Sequence, residues 1–492
     1  MKKIVSLLLA LTMVIGMMSF ASADNVTNLV TISLGSKPVG YDDVIKAANE
    51  YTAEKYGLTL EVRFLDWDPS KVYPIIMNTG DGVDLVFYSG WPGSMDWARK
   101  GGFVELEGLL DTYPELKAAI PAEAWEQVKI DGHIYCVPAP ETSWTANTGI
   151  IYRKDLCTKY NLPVPDSTEN MIAYLEGVKA NNPDMYPLSA RLNSYALRFD
   201  TLVWPTASGS ANGYGLEAIG SVDNLTKYYG SEAHLAELKL MREFVEKGYV
   251  SPDLMGDTVD ASTKFDNGLC AILLDSHTDS YGGRVQALET AKETDPSKAD
   301  WEIGFIPFNV AQGYVRIPSY YDNNATGIAY KNSEHINEAL TYLQAVMTDA
   351  KLHHILRYGV EGVHYELDEN GYYKNLSADF TACGLSLWNW RADALNLEGS
   401  NDPASAAKNE IFEIYRTCKT MATTFKFNKE TVEDECANFN AVCDEYLKPL
   451  QYGLVEDVEA GLNEFMKQAK IAGLEDIWDE YIKQYNAWLA QQ

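Results

Sequence analysis

The stretch between residues 29 and 90 constrains the fold most, because two kinds of apolar pattern alternate along it. Apolar runs and strict alternation predict strands, whereas apolar residues at helical spacing predict helices. The order strand, helix, strand, helix, strand with short turns is typical of a parallel sheet covered on both faces. The sequence therefore predicts an α/β fold, with strands over Leu29–Leu34, 59–64 and Val83–Tyr88 and helices over Asp42–Tyr56 and Ser70–Met77.

Sheets of this kind bind ligands at the carboxyl ends of their strands. The loops at these ends are Gly35–Gly40, Asp66–Pro69 and Ser89–Gly93. Two tryptophans on the same rim favour a binding surface, although each ring has the alternative of packing on its neighbouring helix. The candidate ligand-binding residues on this rim are Trp67, Asp68, Ser89 and Trp91.

The length of 492 residues exceeds what one hydrophobic core usually supports, so two lobes are expected. Two segments have the character of crossings between lobes: the proline-containing, polar-aromatic Pro138–Gly149 and the Tyr- and Asn-rich Ile317–Ala329. A second α/β unit is predicted between them, with strands near Gly268–Leu274 and Trp301–Ile306. The predicted domains are a signal peptide over 1–23, the first part of lobe 1 over 24–143, lobe 2 over 144–315, a return to lobe 1 over 316–375, and a helical C-terminal region over 376–492 that packs on the lobes.

The first residues have the pattern of a secretory signal peptide. Lys2 and Lys3 precede an apolar run from Ile4 to Phe20, and Ala21-Ser22-Ala23 matches an A-x-A cleavage site. A membrane anchor is disfavoured, because the run is shorter than the roughly 20 apolar residues that span a bilayer. We therefore expect an exported protein that is extracellular, associated with the cell surface or periplasmic.

Charge and missing motifs exclude several classes of function. With 40 basic against 70 acidic residues, the net charge of -30 argues against nucleic acid or an anionic membrane as the main partner. The sequence contains no nucleophile elbow, zinc-protease motif, Walker loop or dinucleotide fingerprint. Its seven cysteines have no zinc spacing, and their disulfide pairing stays open. We expect no catalytic residues, no metal and no cofactor, hence a protein that is not an enzyme.

A second group of candidate residues combines aromatic rings with polar side chains. Sugars present C–H faces and hydroxyl edges, so their sites pair flat rings with carboxylate, amide and guanidinium groups. Each candidate also has a structural alternative, such as a helix cap for the Asp or a helix interface for a Trp. The residues predicted to line a cleft between the lobes are Glu141, Trp144, Asn147, Trp204, Asp275, His277, Tyr321, Asn323, Trp388, Trp390 and Arg391.

Several segments resemble the extracellular solute-binding proteins of bacterial ABC importers, family 1. Met77–Phe87 resembles that family's small-residue and glycine turn, followed by an Asp and an apolar strand. Lys100–Leu106 and Asp131–Pro138 are similar to its signatures G-x-hydrophobic-x-x-L and D-G-K-hydrophobic-Y-A-V-P. Here His133 and Cys136 replace the usual Lys and Ala. The resemblance covers essentially the whole chain after the signal peptide.

The segments Tyr358–Tyr365 and 472–489 are similar to the lipoprotein-type subfamily, which has an added helical C-terminal region. The resemblance implies a type II periplasmic-binding-protein fold: two α/β lobes joined by crossing strands, which close on a ligand that is commonly an oligosaccharide. Relatives in Gram-positive bacteria usually carry a Cys for lipid anchoring directly after the signal peptide. No Cys stands near Ala23, so anchoring of this chain stays open.

The residues and the resemblance together predict a non-enzymatic component of an ABC importer. It would capture a carbohydrate, by resemblance an oligosaccharide, and deliver it as a monomer to the membrane permease subunits. Two alternatives stay open: the same fold binding a peptide-like or polyol solute, and a secreted glycan-cleaving enzyme. The sequence identifies neither the sugar nor its linkage or chain length.

Overall fold

The computed structural model describes residues 26–66, 68–90, 92–139, 148–190, 206–207, 213–219, 222–251, 259–307, 313–316, 324–377, 382–397, 403–421 and 425–491. The chain divides into two units, the first comprising Met1–Thr142 and Tyr320–Ser400, the second Ser143–Ser319 and Asn401–Gln492. The predicted C-terminal region is therefore split, with 376–400 in the first unit and 401–492 in the second. In the described part of the chain, no helix combines the length and apolar character needed to cross a membrane.

The first half of the chain alternates strands and helices, as its pattern predicts. Gly57 ends the first helix in a left-handed conformation with φ 67°, and its N–H donates to Ala53 O at 3.2 Å. Up to residue 139 the elements are β1 (Thr27–Leu34), α1 (Tyr41–Tyr56), β2 (Leu58–Leu65), α2 (Pro69–Thr79), β3 (Leu85–Tyr88), α3 (Ser94–Arg99), α4 (Glu107–Leu110), α5 (Pro114–Ala119), α6 (Ala122–Gln127) and β4 (Val137–Pro138). From residue 148 they are β5 (Thr148–Arg153), α7 (Lys154–Tyr160), α8 (Thr168–Asn181), β6 (Leu188–Ala190), β7 (Thr206–Ala207), β8 (Leu216–Ile219), β9 (Leu225–Lys227), α9 (Glu232–Glu246), α10 (Ala261–Asp266), β10 (Ile272–His277), α11 (Thr278–Thr294), β11 (Ile303–Pro307) and β12 (Tyr314–Arg316), with a 3-10 turn at Pro296–Lys298.

The remaining elements return to the first unit and then to the second. In the first unit they are β13 (Ala325–Ile328), a 3-10 segment (Tyr330–His335), α12 (Ile336–Thr348), α13 (Ala350–Tyr358), β14 (Tyr365–Leu367), β15 (Tyr373–Asn375), a π-helical turn (Leu385–Asn389) and a 3-10 turn (Asp393–Leu395). In the second unit they are α14 (Pro403–Arg416), β16 (Lys419–Met421), a 3-10 turn (Glu430–Val432), α15 (Glu433–Val442), a π-helical turn (Cys443–Leu447), α16 (Lys448–Gln451), α17 (Val458–Ile471) and α18 (Leu474–Leu489).

The five-stranded sheet of the first unit has the order β2-β1-β3-β13-β4. β1 is parallel to β2 and to β3, whereas β13 is antiparallel to β3 and β4. Ala325, the first residue of β13, pairs with Tyr88 on one side and Pro138 on the other. The last residues of β1, β2, β3 and β4 therefore share one edge of the sheet with the first residue of β13. We call this the carboxyl edge.

Two predicted hairpins have different outcomes. The Asn370-Gly371 turn joins β14 and β15 as predicted. The hairpin predicted over Ile130–Val137 was wrong in its extent: Asp131-Gly132 forms a tight turn, but only Ile130 and His133 form a bridge across it. Val137 pairs instead with β13, because the sheet offers it a continuous strand partner.

The second unit contains a four-stranded sheet of order β11-β5-β10-β6, in which β5 is antiparallel to both neighbours. A smaller antiparallel sheet, β7-β8-β9, lies against the C-terminal helices. Trp478 Nε1 donates to Tyr214 O at 2.8 Å, and the Tyr485 hydroxyl donates to Val222 O at 2.7 Å. These two bonds and the shared apolar core fix α18 on the smaller sheet.

A buried carboxylate, Asp84, connects separate parts of the first unit. One of its oxygens accepts from Val30 N–H at 2.7 Å, and the other lies 2.6 Å from Asn332 Nδ2 and 3.0 Å from His335 Nδ1. Its backbone N–H donates to Val30 O at 2.8 Å, and its C=O accepts from Ala329 N–H at 2.9 Å. Burial raises the pKa of the Asp84 carboxyl, and the hydrogen bonds from Val30 and His335 offset part of that rise. One side chain thus joins β1, β3 and the 3-10 segment.

Replacing Asp84 by Asn is expected to lower the free energy of unfolding by about 2 kcal/mol. The carboxylate accepts hydrogen bonds at both oxygens, whereas the amide NH2 of Asn would face one of those donors and could not accept from it. Asp111→Asn is the matched control, because Asp111 is 73 % exposed and its pair with Lys117 is a surface one. The control should cost less than about 1 kcal/mol. Denaturant unfolding measures both, and an Asp84→Asn cost no larger than that of the control would contradict the role given to Asp84.

Candidate ligand-binding site

A depression lies at the carboxyl edge of the first unit, beside the π-helical turn Leu385–Asn389. It is open to solvent, and the empty space of about 210 Å³ within it includes part of that solvent. β1 and β3 supply one side of it and the π-helical turn supplies the other. The residues that line it are Ile32, Ser33, Leu34, Phe87, Gly384, Leu385, Trp388 and Asn389.

The π-helical turn is held by hydrogen bonds to its neighbours. Asn389, which is 1 % exposed, donates from Nδ2 to Ala325 O at 3.2 Å and to Thr326 Oγ1 at 3.5 Å. Arg357 Nη1 donates to Ser386 O at 2.9 Å. The turn is therefore fixed both to β13 and to α13, and this fixes the backbone that carries Trp388.

Trp388 is half-buried and lies against Gly384. A Cβ on Gly384 would stand 2.6 Å from Cζ3 of the Trp388 ring, closer than real Cβ contacts allow. Glycine therefore permits the ring to pack on the backbone of its own turn. The result is a flat aromatic surface beside the strand ends, where parallel sheets bind their ligands.

The two tryptophans predicted in this segment have different environments. Trp390 is 1 % exposed and lies within the apolar core, its ring 5.9 Å from that of Tyr342. Arg391 is 9 % exposed. In this structure only Trp388 of the three predicted residues lines the depression.

The other described candidates lie at separate places. Ser89 follows β3 but is fully buried, and its N–H donates to Ser94 Oγ at 3.2 Å. Asp68 precedes α2 and forms an ion pair of 2.6 Å with Lys71. His277 ends β10 of the second unit, where it pairs with Thr148. Asp275 also belongs to β10, and its side chain is outside the described part of the structure.

The remaining candidates lie outside the described residues: Trp67, Trp91, Glu141, Trp144, Asn147, Trp204, Tyr321 and Asn323. Described residues flank two of these segments. Ala139 N–H donates to Asn324 O at 3.2 Å, one residue beyond the Pro138–Ala325 pair. Ala139 and Asn324, the described residues next to residues 140–147 and 317–323, therefore lie at the carboxyl edge.

Sequence reasoning missed seven of the eight residues that line the depression, all except Trp388. Two of them could have been identified from the sequence: Ser33, because it is a polar residue in an apolar strand, and Asn389, because it stands between two tryptophans. Phe87 and Gly384 gave no comparable signal. Their position depends on how the π-helical turn packs on the sheet, which no local pattern specifies.

Comparison with known proteins decides the family. The family described as "Bacterial extracellular solute-binding protein" matches residues 35–351, and a "Domain of unknown function (DUF3502)" matches residues 421–490. The chain belongs to the bacterial extracellular solute-binding protein family. The segments quoted above from residues 77 to 138 lie within the first match, so the predicted family is confirmed.

Similar proteins include substrate- and solute-binding proteins from Streptococcus pneumoniae. A "Carbohydrate ABC transporter substrate-binding protein" is 22 % identical over 474 residues, covering 93 % of this chain and 90 % of the relative. The solved structure of the N-glycan transport solute binding protein NgtS has a TM-score of 0.73 and 21 % identity, over 94 % of this chain and 99 % of that one. The structure of the substrate binding protein FusA in complex with kestose has a TM-score of 0.65 and 16 % identity, over 95 % and 100 % of the two chains.

These likenesses confirm the predicted fold class, a two-lobed periplasmic-binding-protein-like α/β fold. The solute-binding family and its solved neighbours are binding proteins rather than enzymes. The family is also one of extracellular proteins, in agreement with the predicted export.

The different environments of Trp388 and Trp390 predict different effects on stability. Trp390→Ala should lower the free energy of unfolding by about 3–5 kcal/mol, because it empties a core position. Trp388→Ala should cost about 1.5 kcal/mol or less, because part of that ring is already in water. Denaturant unfolding followed by circular dichroism measures both. Equal decreases in the free energy of unfolding for the two variants would show that Trp388 is a core residue and not part of the candidate site.

Proposed function

We propose that this protein is the solute-binding component of an ABC importer, that it captures a carbohydrate, and that it delivers the sugar to membrane permease subunits as a monomer. Among carbohydrates, we propose an oligosaccharide as the ligand. The observation that carries the proposal is the half-buried ring of Trp388 at the carboxyl edge, beside Ser33 and Asn389.

The chemistry of this edge suits a sugar. The C–H face of a pyranose or furanose ring packs on a flat aromatic ring, while its hydroxyl groups need polar partners within reach. Trp388 supplies such a ring. Asn389 has its amide N–H groups directed to β13, so we assign it the role of positioning Trp388 rather than that of donating to the ligand.

The relatives support a carbohydrate as the ligand class, and their ligands differ from one another. NgtS is known in complex with Man1GlcNAc and with Man5GlcNAc, and FusA with kestose. Identities of 16–21 % to these structures do not transfer any one sugar to this chain. We therefore propose the class of ligand and leave the individual sugar to experiment. The candidate residues outside the described ranges stay predictions.

The first test is thermal melting of residues 24–492 against a panel of mono- and oligosaccharides. A ligand at a hundred times its Kd stabilises the folded state by about 2.7 kcal/mol, so a selective rise in Tm is expected for at least one sugar. Chromatography of the recovered sugar should show it unchanged. A flat panel would contradict the carbohydrate proposal, and a degraded sugar would favour the glycan-cleaving enzyme.

The contribution of the depression is measured with the sugar that the panel identifies. Trp388→Ala should weaken its binding at least about tenfold, or 1.4 kcal/mol, because the stacking surface is lost. Trp488→Ala is the matched control, since Trp488 is also half-buried but lies on α18 of the second unit. Equal affinity of both variants and the parent would show that the sugar binds elsewhere.

A further inference from the structure

Glu105, Glu107 and His133 form a cluster of metal-ligating side chains on the first unit. β13 runs away from the carboxyl edge, and at its far end Val104 N–H donates to Ile328 O at 2.9 Å. The neighbouring Glu105 therefore lies toward the opposite edge of the sheet. The cluster is separate from the candidate ligand-binding site, and the proposed function makes no use of it.

The spacing of the three side chains suits a single ion. His133 Nδ1 lies 3.1 Å from Glu105 Oε1 and 3.9 Å from Glu107 Oε1. One ligand atom from each residue lies within 4.8 Å of the other two. Ligands that bind Zn²⁺ tetrahedrally at about 2.0–2.1 Å are about 3.3 Å apart, so only small side-chain movements are needed.

The backbone around the cluster is fixed in advance of any ion. Leu106, which stands between the two glutamates, donates its N–H to Ile134 O at 2.9 Å. Ile134 N–H in turn donates to Glu107 Oε1 at 2.5 Å. The bridge between Ile130 and His133 holds the tight turn that carries the imidazole. The three ligands therefore come from two segments that are already hydrogen-bonded to each other.

A second observation concerns the carboxylate of Glu107. The Oε2 atom of Glu107 is buried and has no hydrogen-bond partner within the described residues. An unsatisfied buried carboxylate oxygen is costly, and a bound cation would satisfy it. The nearby cation Arg99 is directed to Asp131, with 3.0 Å between Nε and Oδ2. The two glutamate carboxylates lie beside the imidazole of His133.

We propose that Glu105, Glu107 and His133 bind one divalent transition-metal cation, with Zn²⁺ as the representative ion and water completing its coordination. The imidazole nitrogen favours Zn²⁺ and its neighbours over Ca²⁺ and Mg²⁺, which prefer oxygen ligands. The bound ion would link the segment of residues 104–107 to the Asp131-Gly132 turn. The sequence spacing gave no sign of this site, because the two glutamates and the histidine match no zinc motif.

Isothermal titration of Zn²⁺ into metal-free residues 24–492 tests the proposal without any sugar. We expect saturable binding of one Zn²⁺ per chain, and no saturable binding of Ca²⁺ or Mg²⁺ at the same concentrations. His133→Gln and Glu105→Gln should each weaken Zn²⁺ binding at least about tenfold. All seven histidines lie in the described ranges, and His133 alone among them is exposed, so His133→Gln is a clean removal of one ligand.

Glu126→Gln is the matched control, because it removes a 70 % exposed carboxylate from the same unit without touching the cluster. It should leave Zn²⁺ affinity unchanged. Circular dichroism verifies that each variant is folded. No saturable Zn²⁺ binding, or equal affinity of His133→Gln and the parent, would overturn the proposal and leave only a surface contact between His133 and the two glutamates.

Discussion

The first unit depends on the buried Asp84 carboxylate. Its hydrogen bonds and those of its backbone hold the start of β3 against the middle of β1 and against the chain that follows β13. Because burial raises the pKa of this carboxyl, the folded state binds its proton more readily than the unfolded state does. The proton-linked part of its contribution to stability is therefore greatest below the unfolded pKa and falls as the pH rises through the folded pKa. Protonation of the Asp84 carboxyl at low pH therefore opposes acid unfolding.

The same arrangement of strands produces the candidate site. Once β1 and β3 are aligned, Ser33 and Phe87 come to the same edge, and β13 presents Ala325 and Thr326 beside them. Asn389 uses those two residues to fix the π-helical turn. The buried amide of Asn389 is thereby hydrogen-bonded, and the half-buried Trp388 lines the depression. The site is a consequence of the sheet and of one later segment that packs on it.

Local patterns could predict the parallel sheet and the position of its carboxyl edge. β1 is a mainly apolar run, α1 and β2 carry regular apolar periods, and Gly57 is a clear boundary, so propensity and packing agree there. The difference between Trp388 and Trp390 could not be predicted, because two residues of identical type stand two positions apart in an irregular turn. Only tertiary packing decides which ring enters the core. The Glu105, Glu107 and His133 cluster escaped prediction for the same reason, since a hydrogen-bonded contact between distant segments brings it together.

A crystal structure of residues 24–492 with a bound oligosaccharide, chosen by the melting panel, tests the central claim most directly. The account predicts an intact sugar with one ring packed on the face of Trp388, its carbon atoms about 4 Å from those of the indole. Residual density for the sugar away from the carboxyl edge of the first unit, or density for cleaved products, would contradict it.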